Sequence, residues 1–173
     1  MLTWALAMTS AATAHPGPRA VPEQLKVPQP GVPLFEASAT GIQIYVCKAR
    51  EDDADAFEWA FKAPVAELWN ASGELSGVHY AGPTWEGIDG STVTGQVVAR
   101  AEAPDSGAIP WLLLKASATT GTGSFGRVTY IQRLDTVGGQ APTDGCDRAT
   151  LGSQRNAEYS AIYVFYGQPV ETQ

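Results

Sequence analysis

Charge is scarce in this sequence. Only 17% of its 173 residues are Asp, Glu, Lys or Arg, against roughly 25% in an ordinary soluble domain. The charge present is mostly negative, 18 acidic residues against 11 basic for a formal net charge of −7. A sequence-independent grip on DNA or anionic lipid needs a basic face, so no nucleic-acid partner is expected. Disorder is argued against as well, because it needs high charge and few aromatics, whereas this chain has five Trp, six Tyr and five Phe.

Histidine is scarcer still. Of two in the chain, only His79 falls outside the N-terminal region. Zinc, copper and non-haem iron sites draw on several nitrogen or sulfur ligands, so no metal or other cofactor is expected. The two cysteines, Cys47 and Cys146, have no Cys or His two to four residues away. In an exported protein an even count reads as a disulfide, here closing a loop of roughly 100 residues. The alternative is two buried free thiols in a cytosolic protein. No run reaches the ~18–20 apolar residues of a spanning helix, and long amphipathic helical windows are missing.

What is present begins with Leu2–Met8, a short apolar run followed by Ala12-Thr13-Ala14-His15, which reads as the core and A-x-A site of a secretory signal over 1–14. No Lys or Arg precedes Arg19, and a start called too far downstream would explain the missing basic region. Residues 15–33 carry six prolines and read as an extended arm, from which Val21, Leu25, Val27 and the adjoining Leu34 can dock singly. A single domain is expected over 34–168, with a tail at 169–173.

From Gly41 the punctuation is that of a β protein. Ile42, Ile44 and Val46 alternate with Gln43, Tyr45 and Cys47, and Phe57, Trp59 and Phe61 share a face. Asn70–Gly73 reads as a hairpin turn between Ala66–Trp69 and Glu74–Tyr80. Further strands are expected over Ser91–Ala103, Trp111–Ala118, Phe125–Asp135 and Glu158–Tyr166. Ala49–Ala56 and Arg148–Asn156 each suit one short helical turn. The sum is an all-β fold, an antiparallel β-sandwich or flattened β-barrel of about eight or nine strands with minimal helix.

Motifs that carry chemistry are few. Gly121-Thr-Gly-Ser-Phe-Gly126 matches G-x-G-x-x-G, but a dinucleotide site needs a helix after it, and Arg127–Leu134 alternates like a strand. The loop reads as a glycine hairpin. His79 stands near Glu86 and Asp89, a weak set for general-base work. No G-x-S-x-G elbow occurs. Glu58 and Asp135 also lie near aromatic segments, though a glycosidase needs two carboxylates at a defined separation. The cluster Glu51–Asp55 and the pair Asp144 and Asp147 offer oxygen ligands without EF-hand spacing, and read as solvated turns. Asn70-Ala-Ser72 is a glycosylation sequon on a turn. Among aromatics, Trp69, Tyr80, Trp85, Trp111 and Tyr130 include several beside Gly or Pro, where a ring can meet a sugar or an apolar ligand.

Gly41–Cys47, Phe57-Glu-Trp-Ala-Phe-Lys-Ala-Pro64, His79-Tyr-Ala-Gly-Pro-Thr-Trp-Glu86, Ala108–Leu114, Val128–Arg133, Thr136–Gly139 with Ala141-Pro142, Gly145-Cys-Asp147 and Tyr159–Tyr166 follow in this order. The arrangement resembles the secreted bacterial and fungal family called domain of unknown function 3455, over about Leu34 to Tyr166. Some fungal relatives carry a malate dehydrogenase label, which the glycine loop does not support. The resemblance implies export and a Cys47–Cys146 pairing, but no activity.

These readings converge on an exported, non-catalytic binding or surface protein for a glycan or a small apolar ligand, in a secreted or periplasmic location. The expected binding residues are Tyr80, Trp85, Trp111 and Arg133. One alternative is a secreted hydrolase using His79 with Glu86 or Asp89. Another is a structural surface or stress protein.

Overall fold

Backbone pairing decides the architecture. The computed structural model describes residues 19–169, which form eight strands: β1 (Val32–Ala49), β2 (Phe57–Trp69), β3 (Leu75–Tyr80), β4 (Thr84–Gly87), β5 (Thr92–Ala101), β6 (Trp111–Thr120), β7 (Tyr130–Gly138) and β8 (Gln154–Gly167). Each pairs antiparallel with the next, and β8 returns along β1 to close the ring. The result is an up-and-down barrel. Closure leaves no free sheet edge, the usual liability of an open sheet. The signal expected over 1–14 lies outside the described residues, as do 15–18 of the arm and 170–173 of the tail.

Some boundaries differ from the sequence expectation. β1 starts at Val32, well before Gly41. β4 begins inside the His79–Glu86 motif and ends one residue beyond it, with only four residues in the strand. Phe125–Thr129 stays outside β7 because Phe125 spends its N–H on the Ser91 hydroxyl at 3.0 Å. The helical turns expected at Ala49–Ala56 and Arg148–Asn156 are loops and the start of β8. A single 3-10 turn at Glu23–Leu25 is the only helical element among the described residues.

Period-two alternation sorts the side chains. Gln43, Tyr45 and Cys47 of β1 point inward, as do Tyr159, Ala161, Tyr163 and Phe165 of β8. Ile42, Ile44 and Val46 face out and are half-buried. Small inward residues (Ala37, Ala39, Ala66, Ala161) leave room for the bulk of Trp85 and Tyr163 in the same core. Gly41 serves the same end through the backbone: a Cβ there would lie 2.1 Å from the Val65 carbonyl oxygen, so β1 and β2 can close up only over glycine.

The two ends of the barrel are built differently. At one end Phe35 stacks on Phe165 at 4.7 Å and Phe125 meets Phe165 edge-on at 4.9 Å. Asp89 ties the loops there together, one carboxylate oxygen accepting from Ser91 and the other from Ser124. At the other end the Cys47–Cys146 disulfide pins the β7–β8 loop to β1. The same loop is held by Trp59 Nε1 donating to the Asp144 carbonyl at 2.7 Å and Tyr45 donating to that of Gly139 at 2.6 Å.

The proline-rich arm runs over the outside. Leu25, fully buried, packs with Trp111, Leu113, Leu134 and Val164 on the outer face of β6–β8. Gln132 donates to the Leu25 carbonyl at 2.6 Å, and Tyr166 donates in turn to Gln132 at 2.9 Å. Arg19 bridges Glu36 and Asp135. Burying one leucine is worth about 1.5–3 kcal/mol, so Leu25 is the main anchor.

Candidate functional site

The inward faces of the eight strands do not fill the barrel completely. A cavity of about 220 Å³ remains between the aromatic-plugged end and the disulfide end. Its apolar walls are Leu112 and Leu114 of β6 and Pro64 of β2, with Pro83 of the β3–β4 turn at the rim. Phe61 and Val97 also line it, and they are 54% and 39% exposed. The cavity therefore reaches solvent on their side.

Polar groups are concentrated in its wall. His79 and Trp85 face each other across β3 and β4, and their rings stack at 4.3 Å, 9° from parallel. Tyr163 stands edge-on to both. His79 Nδ1 lies 2.9 Å from the Thr84 carbonyl. A carbonyl only accepts, so Nδ1 carries the proton and Nε2 keeps its lone pair. Burial, aided by the positive charge of Arg133, pulls the His79 pKa down to about 4, and the ring is neutral at physiological pH.

Arg133 enters from β7. Its Nε and Nη2 both donate to the Pro110 carbonyl, at 3.2 and 2.8 Å, and no described carboxylate pairs with it. Tyr159 and Tyr163 lie beside it within the barrel. Burial raises the pKa of both phenols, while the field of Arg133 pulls against that rise. Gln43 and Arg133 lie close enough in space to these phenols, and the phenols to each other, to influence the titrations. Even so, Gln43 Nε2 and both tyrosine hydroxyls complete no hydrogen bond, and neither does Trp85 Nε1. Buried polar groups in folded proteins are overwhelmingly paired, so four such groups in one barrel interior mark a site.

The expected site residues divide. Trp85 and Arg133 line the cavity, as does His79. Tyr80 is on the outward face of β3, donating to the Glu86 carboxylate at 2.8 Å. Trp111 faces outward from β6 and is 6% exposed beneath the arm. His79, Glu86 and Asp89 do not come together: His79 is inside, Glu86 outside, and Asp89 knots the loops at the plugged end. Four hydrogen bonds from Ser124 and Ser91 hold the Asp89 carboxyl far below the usual carboxylate range, which suits a structural anion rather than a base.

The remaining candidates have local roles. The glycine loop Gly121–Gly126 joins β6 to β7, two strands. In the acidic cluster, Glu51, Asp52 and Asp55 pair with Lys48, Arg50 and Arg148. Asp135 is bridged by Arg19. Asp147 caps the turn at Ala149 and Thr150, and Asn70 shapes its own turn by accepting from Ser72 and Glu74. No group of three His, Cys, Asp or Glu among the described residues is placed to hold a metal. Trp69 and Tyr130 are half-buried and do not line the cavity.

Sequence reasoning missed Gln43, Leu112, Leu114, Tyr159 and Tyr163. The one available signal was phase. Tyr159, Ala161, Tyr163 and Phe165 share a face, as do Gln43, Tyr45 and Cys47, and a disulfide cysteine sits on the second of these faces.

The chain matches, over residues 28–167, the family described as Protein of unknown function (DUF3455). No curated protein and no solved structure matches it.

Proposed function

The chain belongs to this family of unknown function, DUF3455, and from its own geometry we propose that it is a binding protein that holds one small, largely apolar ligand inside its barrel. The carrying observation is the 220 Å³ cavity with apolar walls, open beside Phe61 and Val97. An apolar cavity of about 150 Å³ suffices for benzene, and drug-sized ligands take ~300 Å³ and upward. By proportion this cavity suits roughly nine non-hydrogen atoms. A polysaccharide chain is too large for it, and Trp85 and Trp111 are both buried rather than presented as stacking platforms. The hydrolase alternative finds no convergent group here, since His79 is apart from both carboxylates.

We place the protein in an oxidising, extracytoplasmic compartment. The disulfide supports this, and none of the described helices is long and apolar enough to cross a membrane.

Toluene tests the binding reading. A ligand that binds only the folded state raises the midpoint of unfolding in proportion to the logarithm of its concentration. A concentration-dependent rise is expected. No rise up to the solubility limit of toluene contradicts the reading.

A further inference from the structure

The polar side of the cavity is one-sided. Gln43, Trp85, Tyr159 and Tyr163 are each 3% exposed or less, and Gln43 Nε2, Trp85 Nε1 and both hydroxyls are unpartnered. An amide nitrogen and an indole nitrogen are donors only, and a phenol donates its one proton. Gln43, Trp85 and Tyr163 line the cavity itself. Arg133, also in its wall, has spent Nε and Nη2 on the Pro110 carbonyl, which leaves the donors of Nη1 without a described acceptor. Against these, the acceptors in the lining are the Nε2 lone pair of His79, the Gln43 amide oxygen and the Tyr163 phenol oxygen, none of them charged.

The charge pattern points the same way. The protein carries net charge −7 with 18 acidic residues, yet the cavity lining holds Arg133 and Lys62 and no carboxylate. A partly buried guanidinium without an anionic partner is costly. Its natural complement is an anion that accepts several hydrogen bonds at once, and planar guanidinium matches carboxylate best.

Resting on the cavity reading above, we infer that the ligand is a small monocarboxylate, its carboxylate met by Arg133 and the Tyr163 hydroxyl and its apolar body lying against Leu112 and Leu114. With room for roughly nine heavy atoms, a single-ring aromatic acid or a short branched fatty acid is the right size. Lys62 at the rim would steer the anion inward. His79, held neutral, adds no charge of its own, and its ring stacked on Trp85 offers a flat wall to the body of the acid.

The test compares benzoate with two neutral probes of similar size, benzyl alcohol and toluene, by titration calorimetry at neutral pH. Charge-assisted hydrogen bonds predict that benzoate binds at least roughly tenfold more tightly than benzyl alcohol. R133M and, as a variant that removes a single oxygen, Y163F should each erode that preference, read as the ratio of benzoate to benzyl alcohol affinity within the same variant. Equal affinity for benzoate and benzyl alcohol, with toluene still bound, overturns the carboxylate inference and leaves the cavity reading standing. Tight benzoate binding unchanged in both variants also overturns it, since the anion would then sit elsewhere. Failure of all three probes to bind overturns both.

Discussion

The His79 imidazole lies flat on the Trp85 indole, centroids 4.3 Å apart, in the wall of the barrel cavity. Burial of the imidazole there makes stability depend on pH in a defined direction. The unfolded histidine titrates near 6.5, the folded one near 4, so the unfolded state binds the extra proton between those values. Stability from His79 is complete above about pH 6.5 and is lost as the pH falls toward 4, by at most about 3 kcal/mol. Carboxylates also titrate at the lower end of this window, so the native protein is compared with H79Q. Urea unfolding from pH 7 to 4 should show a steeper loss in the native chain than in H79Q. Parallel curves contradict the assignment.

Removing the Cys47–Cys146 crosslink should destabilise the fold by about 2–5 kcal/mol, because the unfolded chain regains a loop of about a hundred residues. The β7–β8 loop keeps its other anchors, at Trp59 and Tyr45. The C47S/C146S double variant is therefore expected to fold, with a lower guanidinium midpoint and toluene binding retained. A midpoint equal to that of the native protein would show that the crosslink constrains little.

Leu25→Ala should cost about 2–5 kcal/mol, the range for truncating a fully buried leucine. Leu25 packs against the outer face of the barrel, opposite the side on which Leu112 and Leu114 line the cavity. Toluene affinity should therefore hold within about twofold while stability drops. A large loss of affinity would mean that the arm shapes the cavity, contrary to the geometry described.

How much of this was legible in the sequence follows from strand phase. Alternation in Gly41–Cys47 shows two faces without saying which is inside. Hydropathy favours Ile42, Ile44 and Val46 as the core, yet the barrel takes Gln43, Tyr45 and Cys47. That choice is made by closure of β8 on β1, a pairing between the two ends of the domain that no local window contains. The same parity divides the expected binding residues. Trp85 and Arg133 fall inward, whereas Tyr80 and Trp111 are one residue out of phase with His79 and Leu112 and fall outward. β4 was hidden because four residues are too few to show alternation, and without it the ring does not close. The aromatic and β-branched strands, the Asn70–Gly73 hairpin and the glycine loop between two strands are local features, and they were readable for that reason.

Binding of a small apolar molecule inside the barrel should be visible in the ¹⁵N-labelled tryptophan side-chain resonances during a toluene titration. Trp85 lines the cavity and Trp111 packs under the arm, and neither indole N–H has a hydrogen-bond partner among the described residues, so each reports on its own surroundings. A saturable shift of the Trp85 indole N–H is expected, with the Trp111 signal unmoved. A Trp85 resonance that stays fixed, or one that moves only in step with Trp111 and without saturation, would contradict binding inside the barrel.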